Sequence, residues 1–207
     1  GDVLTIDDNK LNNNIIQNIK TKRKKINFEA INIGSFANVK FVNDDEIGGE
    51  DRTEFVIHDV AMKTPKNELS FGTNVDIDLR LTEFKDITVT ADLGSEITLK
   101  PNIQLVNSDL NVHGSLGGEW MGAELLGQSK LEIGSMTKSQ GKSNGRIFFP
   151  NAHVRVSEQS KFYARGTEFS VGSISVDGQS TMYVYGQASI NTAVARAATL
   201  SSYYNDE

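Results

Sequence analysis

The chain has 207 residues, 38% of them hydrophobic, with 18 glycines and no cysteine. That apolar content suffices for a packed domain of ordinary size, and the missing cysteines exclude disulfides, thiolate nucleophiles and cysteine-ligated zinc or iron–sulfur centres. With 21 basic against 27 acidic residues, a net charge of −6, the balance also argues against a nucleic-acid binder, which normally carries a net basic face.

The first 25 residues differ from the rest. Asp7 to Asn14 is polar and Asn-rich, and five cations, Lys20, Lys22, Arg23, Lys24 and Lys25, fill six positions. Ile15, Ile16 and Ile19 suit a short helix or an irregular strand equally well. Residues 1–25 therefore read as a polar and basic lead-in, and 26–207 as one domain. No run approaches the roughly 18 unbroken apolar residues of a membrane span, so no transmembrane segment is expected.

From Ile26 onward the dominant period is two. Val39-Lys40-Phe41 alternates, Val75 to Leu81 alternates along its length, and Ile87-Thr88-Val89 and Ile97-Thr98-Leu99 continue the pattern. No 3.6-residue stripe interrupts it. The second half adds a repeat, apolar-x-apolar-x-Gly-Gln-Ser-x-apolar-x-apolar and then Gly, directly at Ala123 to Gly134 and one place later at Ile174 to Gly186. Looser copies place a small residue at Ser95, Ser108, Ala152 and Thr167. Uneven spacing between copies fits stacked coils with unequal loops. The expected fold is all-β, a parallel β-helix or β-solenoid-like single domain in which small residues turn the corners. An antiparallel β-sandwich is the competing architecture. The tail Thr192 to Ala198 reads as a last strand, with a capping helix as the alternative.

Chemical constellations are sparse. His58, His113 and His153 lie far apart with no paired spacing, so no metal site and no cofactor are expected. No nucleophile elbow, dinucleotide fingerprint or phosphate loop is present. Gly141-Lys142-Ser143 has Met136 where a phosphate loop needs its first glycine. The acids are the stronger candidates. Asp76 and Asp78, at i and i+2, project from one face of one strand, and two carboxylates at a fixed separation can hydrolyse a glycosidic bond. Asp44-Asp45 and His113-Gly114 echo fragments of pectin-cleaving solenoids, but the other elements of that signature are missing. Asp44, Asp45, Glu46, Glu50 and Asp51 crowd a Gly48-Gly49 turn without the spacing of a calcium loop and read as a charged hairpin tip. Trp120, in the loop Gly117 to Gly122, either offers its ring to a sugar or folds back over the wall. Tyr183 and Tyr185 read as an outward aromatic ladder, and Gln179 stands at the turn before them.

Two stretches carry a family resemblance. Phe28 to Phe41 (FEAINIGSFANVKF) resembles the opening of the GIN-type auto-transporter adhesin head domain, of the form F-x-x-I-x-V-x-G-x-x-x-V-x-I. Val176 to Gly186 (VDGQSTMYVYG) resembles its closing S-G-A-S-x-x-x-Y-Y-G. Gly127-Gln128-Ser129 and Gly166-Thr167 stand where that family repeats its Gly-Ala-Ser turns. Gln179 replaces the usual Ala, Gly34 falls one place early, and residues 1–25 have no counterpart. The resemblance, spanning about 26–200, implies an all-β, solenoid-like domain exported to the cell envelope or outer-membrane surface. It implies a removed leader or a lipidated anchor ahead of Gly1, and it carries over no catalytic residues.

The functional expectation is a non-enzymatic, extracytoplasmic adhesin-like protein that binds a surface polysaccharide or a protein partner and not nucleic acid. Trp120, Gln179 and Tyr183 are its ligand-binding candidates, and no catalytic or metal residue is assigned. The alternatives are a polysaccharide-active β-helix enzyme built on Asp76 and Asp78, or a structural envelope scaffold that forms homo-oligomers by stacking open coil ends.

Overall fold

The computed structural model describes residues 1–10, 16–43, 52–65, 67–136, 143–144, 146–165, 168–185, 196–197 and 202–206. Every regular element among the described residues is a strand, and none of them forms a helix long and apolar enough to cross a membrane.

Three parallel sheets hold almost all of the strands. Sheet A runs β1 (Asp2–Ile6), β3 (Lys25–Ile33), β5 (Thr53–Ile57), β8 (Val75–Leu79), β11 (Glu96–Leu99), β14 (Ser115–Gly117), with β6 (Val60–Met62) also paired to β3. Sheet B runs β2 (Ile16–Thr21), β4 (Asn38–Asn43), β7 (Glu68–Phe71), β10 (Thr88–Ala91), β13 (Asp109–Val112), β16 (Lys130–Ile133), β20 (Lys161–Arg165), β22 (Thr181–Tyr185), β24 (Ser202–Asp206). Sheet C runs β9 (Glu83–Lys85), β12 (Asn102–Val106), β15 (Gly122–Leu126), β19 (Arg146–Val156), β21 (Glu168–Val176), β23 (Arg196–Ala197). Among the described strands only β17 (Ser135–Met136) and β18 (Ser143–Asn144) pair antiparallel. The protein is all-β with parallel sheets, and the antiparallel sandwich is overturned.

From β7 to β16 the chain enters sheets B, A and C in turn, so each strand pairs with the one three places later. On sheet B the inward partners Leu69, Val89, Leu110 and Leu131 are 20, 21 and 21 residues apart. The step from Leu131 to Phe162 is longer because it includes 137–142, which lie outside the described residues, as do Asp44, Asp45, Glu46, Glu50 and Asp51 of the expected hairpin tip.

The period of two becomes a core because alternate side chains of all three sheets meet in one apolar cluster. Phe28, Phe41, Phe55 and Phe71 pack together in its N-terminal part, with neighbouring ring centroids 5.0–6.5 Å apart.

One corner recurs before the strands of sheet B. Asp86, Asn107, Gly127, Glu158 and Gly178 all have φ between 50° and 70°, the left-handed region that turns the chain sharply. A buried serine follows in four of the five. Ser129 Oγ accepts from Ser108 N at 3.1 Å, Ser160 Oγ from Ser129 N at 3.3 Å, and Ser108 Oγ from Ile87 N at 3.0 Å. Small hydroxyls fit here because each must cap a backbone donor that the corner removes from the sheet ladder. The two Gly-Gln-Ser copies are both in this column, joined by Glu158-Gln159-Ser160, a third copy with Glu in place of Gly. Ser95 turns a different corner, and Ala152 lies inside β19.

Two stretches of the first 25 residues are strands of these sheets. β1 pairs with β3 and β2 with β4, both parallel, because Leu4, Ile6 and Ile19 supply enough alternating apolar surface to join the sheets. Of the tail, Arg196–Ala197 pairs with β21 as a strand, and the rest of 192–198 lies outside the described residues.

Candidate functional site

The outer face of sheet C holds a trough of about 500 Å³ lined by Thr82, Glu83, Asn102, Gln104, Gly122, Glu124, His153 and Arg155. Two columns of outward residues build it. Glu83, Gln104, Glu124 and Arg155 are register partners on β9, β12, β15 and β19, and beside them run Asn102, Gly122 and His153.

Gly122 makes the gap. Its φ is 146°, and a Cβ there would lie 2.0 Å from the His153 carbonyl oxygen, so only glycine fits. The second column therefore has no side chain between Asn102 and His153, and the missing rung is the floor of the trough.

The walls are ordered by polar contacts. Glu124 accepts from Gln104 Nε2 at 2.8 Å and from Arg155 Nη1 at 3.3 Å, and Arg155 Nη2 reaches Asp177 at 3.5 Å. His153 Nδ1 meets Ser173 Oγ at 2.5 Å. Glu83, on the free edge of the sheet, makes no hydrogen bond or ion pair among the described residues. A second hollow of about 410 Å³, lined by His58, Asp59, Arg80 and Lys85 among others, adjoins the first and shares Thr82 and Glu83 with it.

The residues expected from sequence are placed elsewhere. Trp120 is 2% exposed and packs edge-on against Phe149, with centroids 5.3 Å apart. Its ring has no free face, so the sugar-stacking role is corrected and the ring folds over the wall. Tyr183 lies on the outer face of sheet B, stacked on Tyr163 at 4.7 Å and 7°. Those two rings cover one another's facing surfaces. Gln179 is exposed at the last left-handed corner, its backbone N–H donating to the Glu158 carbonyl at 2.8 Å. The three candidates thus form no single site: Trp120 precedes sheet C, whereas Gln179 and Tyr183 belong to sheet B.

Asp76 and Asp78 do share the outer face of β8, but each is held by an arginine. Arg52 reaches Asp76 at 2.5 Å and Arg80 reaches Asp78 at 2.9 Å. Among the described residues no group of three or more His, Cys, Asp or Glu could hold a metal ion. Sequence reasoning missed Glu83, Gln104, Gly122, Glu124 and Arg155, and treated His153 as isolated. The usable signal was the spacing of Asp86, Asn107 and Gly127, which sets the repeat between paired strands and brings Glu83, Gln104 and Glu124 into one column.

Compared with protein-family models, with curated proteins and with solved structures, the chain matches none.

Proposed function

We propose that the chain is a three-sided β-solenoid of the cell envelope that binds a surface polysaccharide without cleaving it. The observation that carries this reading is the polar trough crossing β9, β12, β15 and β19, open along the sheet and lined by paired donors and acceptors. The solenoid part rests on the three-strand periodicity of the parallel pairing and on one core shared by three sheets. The envelope location rests on the resemblance of residues 26–200 to the adhesin head domain. Gln179 and Tyr183, on sheet B, form the competing contact surface.

A second reading, hydrolysis, has one observation in its favour. Glu83 and Glu124 share a column two strands apart, about 10 Å between backbones at the usual strand spacing, near the about 6.5–9.5 Å between carboxyls in inverting glycosidases. Against it, Glu124 is already engaged by Gln104 and Arg155, and Glu83 is exposed with no apolar pocket of the kind a general acid uses.

Incubation with a panel of plant, host and bacterial polysaccharides separates the readings. Retention of intact protein on at least one polymer, with no new reducing or unsaturated ends, is the expected result. New ends on any polymer would replace binding by catalysis, and the first variants to make would then be at Glu83 and Glu124. Retention on none would remove the polysaccharide reading.

A further inference from the structure

Resting on the binding reading above, we infer that the trough of sheet C takes a linear, uncharged polysaccharide lying across the strands, one sugar unit per strand over four strands. The geometry comes first. Parallel strands stand about 4.8 Å apart, close to the length of one pyranose unit in an extended chain. A polymer running perpendicular to the strands would meet the same kind of contact at every unit. The trough spans four strands, β9, β12, β15 and β19, so it offers four such steps.

The chemistry comes second. Gln104, Glu124 and Arg155 are planar groups that present donors and acceptors in pairs, which suits neighbouring hydroxyls on a sugar ring. Their mutual hydrogen bonds hold them in place before any ligand arrives. A Cβ at Gly122 would run into the His153 carbonyl of the neighbouring strand, so the second column carries no side chain between Asn102 and His153.

Charge selects the class. Arg155 is matched by Glu124 and Asp177, and the acid Glu83 stands beside the base Lys85 on the same strand. Counting Asp177 and Lys85, three acids stand against two bases, so the trough is slightly acidic and a polyanion gains no net attraction there. Hydroxyl-rich neutral chains complement this surface best. The stacked tyrosines of sheet B lie outside the path, their facing surfaces covered by one another.

The test is calorimetric titration of the full chain with neutral β-linked oligosaccharides of two to six units (cello-, manno- and xylo-series), and with oligogalacturonides as the acidic comparison. Affinity is expected to rise up to four units and then level off, with the acidic series weaker. Arg155→Ala and Glu124→Ala should each weaken the tetrasaccharide by about tenfold, from the loss of charge-assisted hydrogen bonds. Tyr183→Ala should leave it unchanged. Both trough positions are on the outer face, and unfolding curves of the variants check that they fold. Where an oligosaccharide binds but Arg155→Ala and Glu124→Ala have no effect, the inference is overturned while polysaccharide binding stands. Tighter binding of the acidic series, or affinity that stops rising at two units, would overturn it in the same way. Failure of every oligosaccharide and every polymer to bind would remove the underlying reading as well.

Discussion

Sheets B and C share backbone geometry and strand spacing, yet their outer faces differ in kind. On sheet B most outward residues pair with one another, although Asn111 Oδ1 is buried without a partner among the described residues. Tyr163 stacks on Tyr183, Asn111 donates to Thr90 at 3.1 Å, Lys40 pairs with Asp92, and Lys130 lies 3.6 Å from Glu132. On sheet C the column of Gly122 lacks one side chain, and the neighbouring polar groups border a trough instead of closing over it. On the proposed reading, a missing rung matters more to binding on such a ladder than the presence of aromatic residues. An aromatic column stacks on itself, whereas a glycine in an outward column opens space.

The comparison can be broken at its weakest point by filling the gap. Gly122→Val should lose about 3 kcal/mol or more of stability, because the position combines a positive φ with a carbonyl where Cβ would be. Denaturant unfolding measures this, and a variant as stable as the parent chain would mean that the gap is not structurally enforced. Next in size is the corner shared by both sheets. Ser129→Ala removes the acceptor for the Ser108 N–H in a buried setting and should cost about 1–3 kcal/mol. A loss of that size, read as a shifted unfolding midpoint, would place the serine column among the elements that hold the parallel strands in register.

Smaller effects sharpen the contrast on the sheet B side. Tyr183→Ala should cost about 0.5–1.5 kcal/mol beyond lost surface burial, with no change in polysaccharide retention. Loss of retention would return the site to sheet B and to Gln179 and Tyr183. The smallest effect concerns Asp109, whose carboxyl is held above the ordinary carboxylate range by burial, with Lys130 and Lys161 pulling the other way. A raised acid binds more protons folded than unfolded, so its contribution to stability falls as pH rises from the unfolded value through the folded one. Asp109→Asn should therefore remove that decline and gain a few tenths of a kcal/mol at neutral pH. A variant that is less stable at neutral pH would mean that the lysines outweigh the burial.

Much of the fold could be read from the residues. Alternation at Val75–Leu81 and the two Gly-Gln-Ser copies pointed to strands and to a turning corner, because period two and small-residue turns are local properties. The repeat length between paired strands was not readable in the same way. Two steps are lengthened by about ten residues, and Glu158 stands where neighbouring corners have Asp, Asn or Gly, so the repeat looked irregular. Trp120 could not be placed from sequence, since its burial depends on Phe149, far along the chain. The trough was the least legible part. It joins positions 83, 104, 124 and 155, and no short motif links residues whose meeting depends on the register of four parallel strands.

The most direct test of sheet C as the binding face is a crystal structure with the tightest-binding neutral hexasaccharide. The expected result is a sugar chain crossing β9, β12, β15 and β19, hydrogen-bonded to Gln104, Glu124 and Arg155. A chain lying instead against Tyr163 and Tyr183 on sheet B, with the trough vacant, would contradict it.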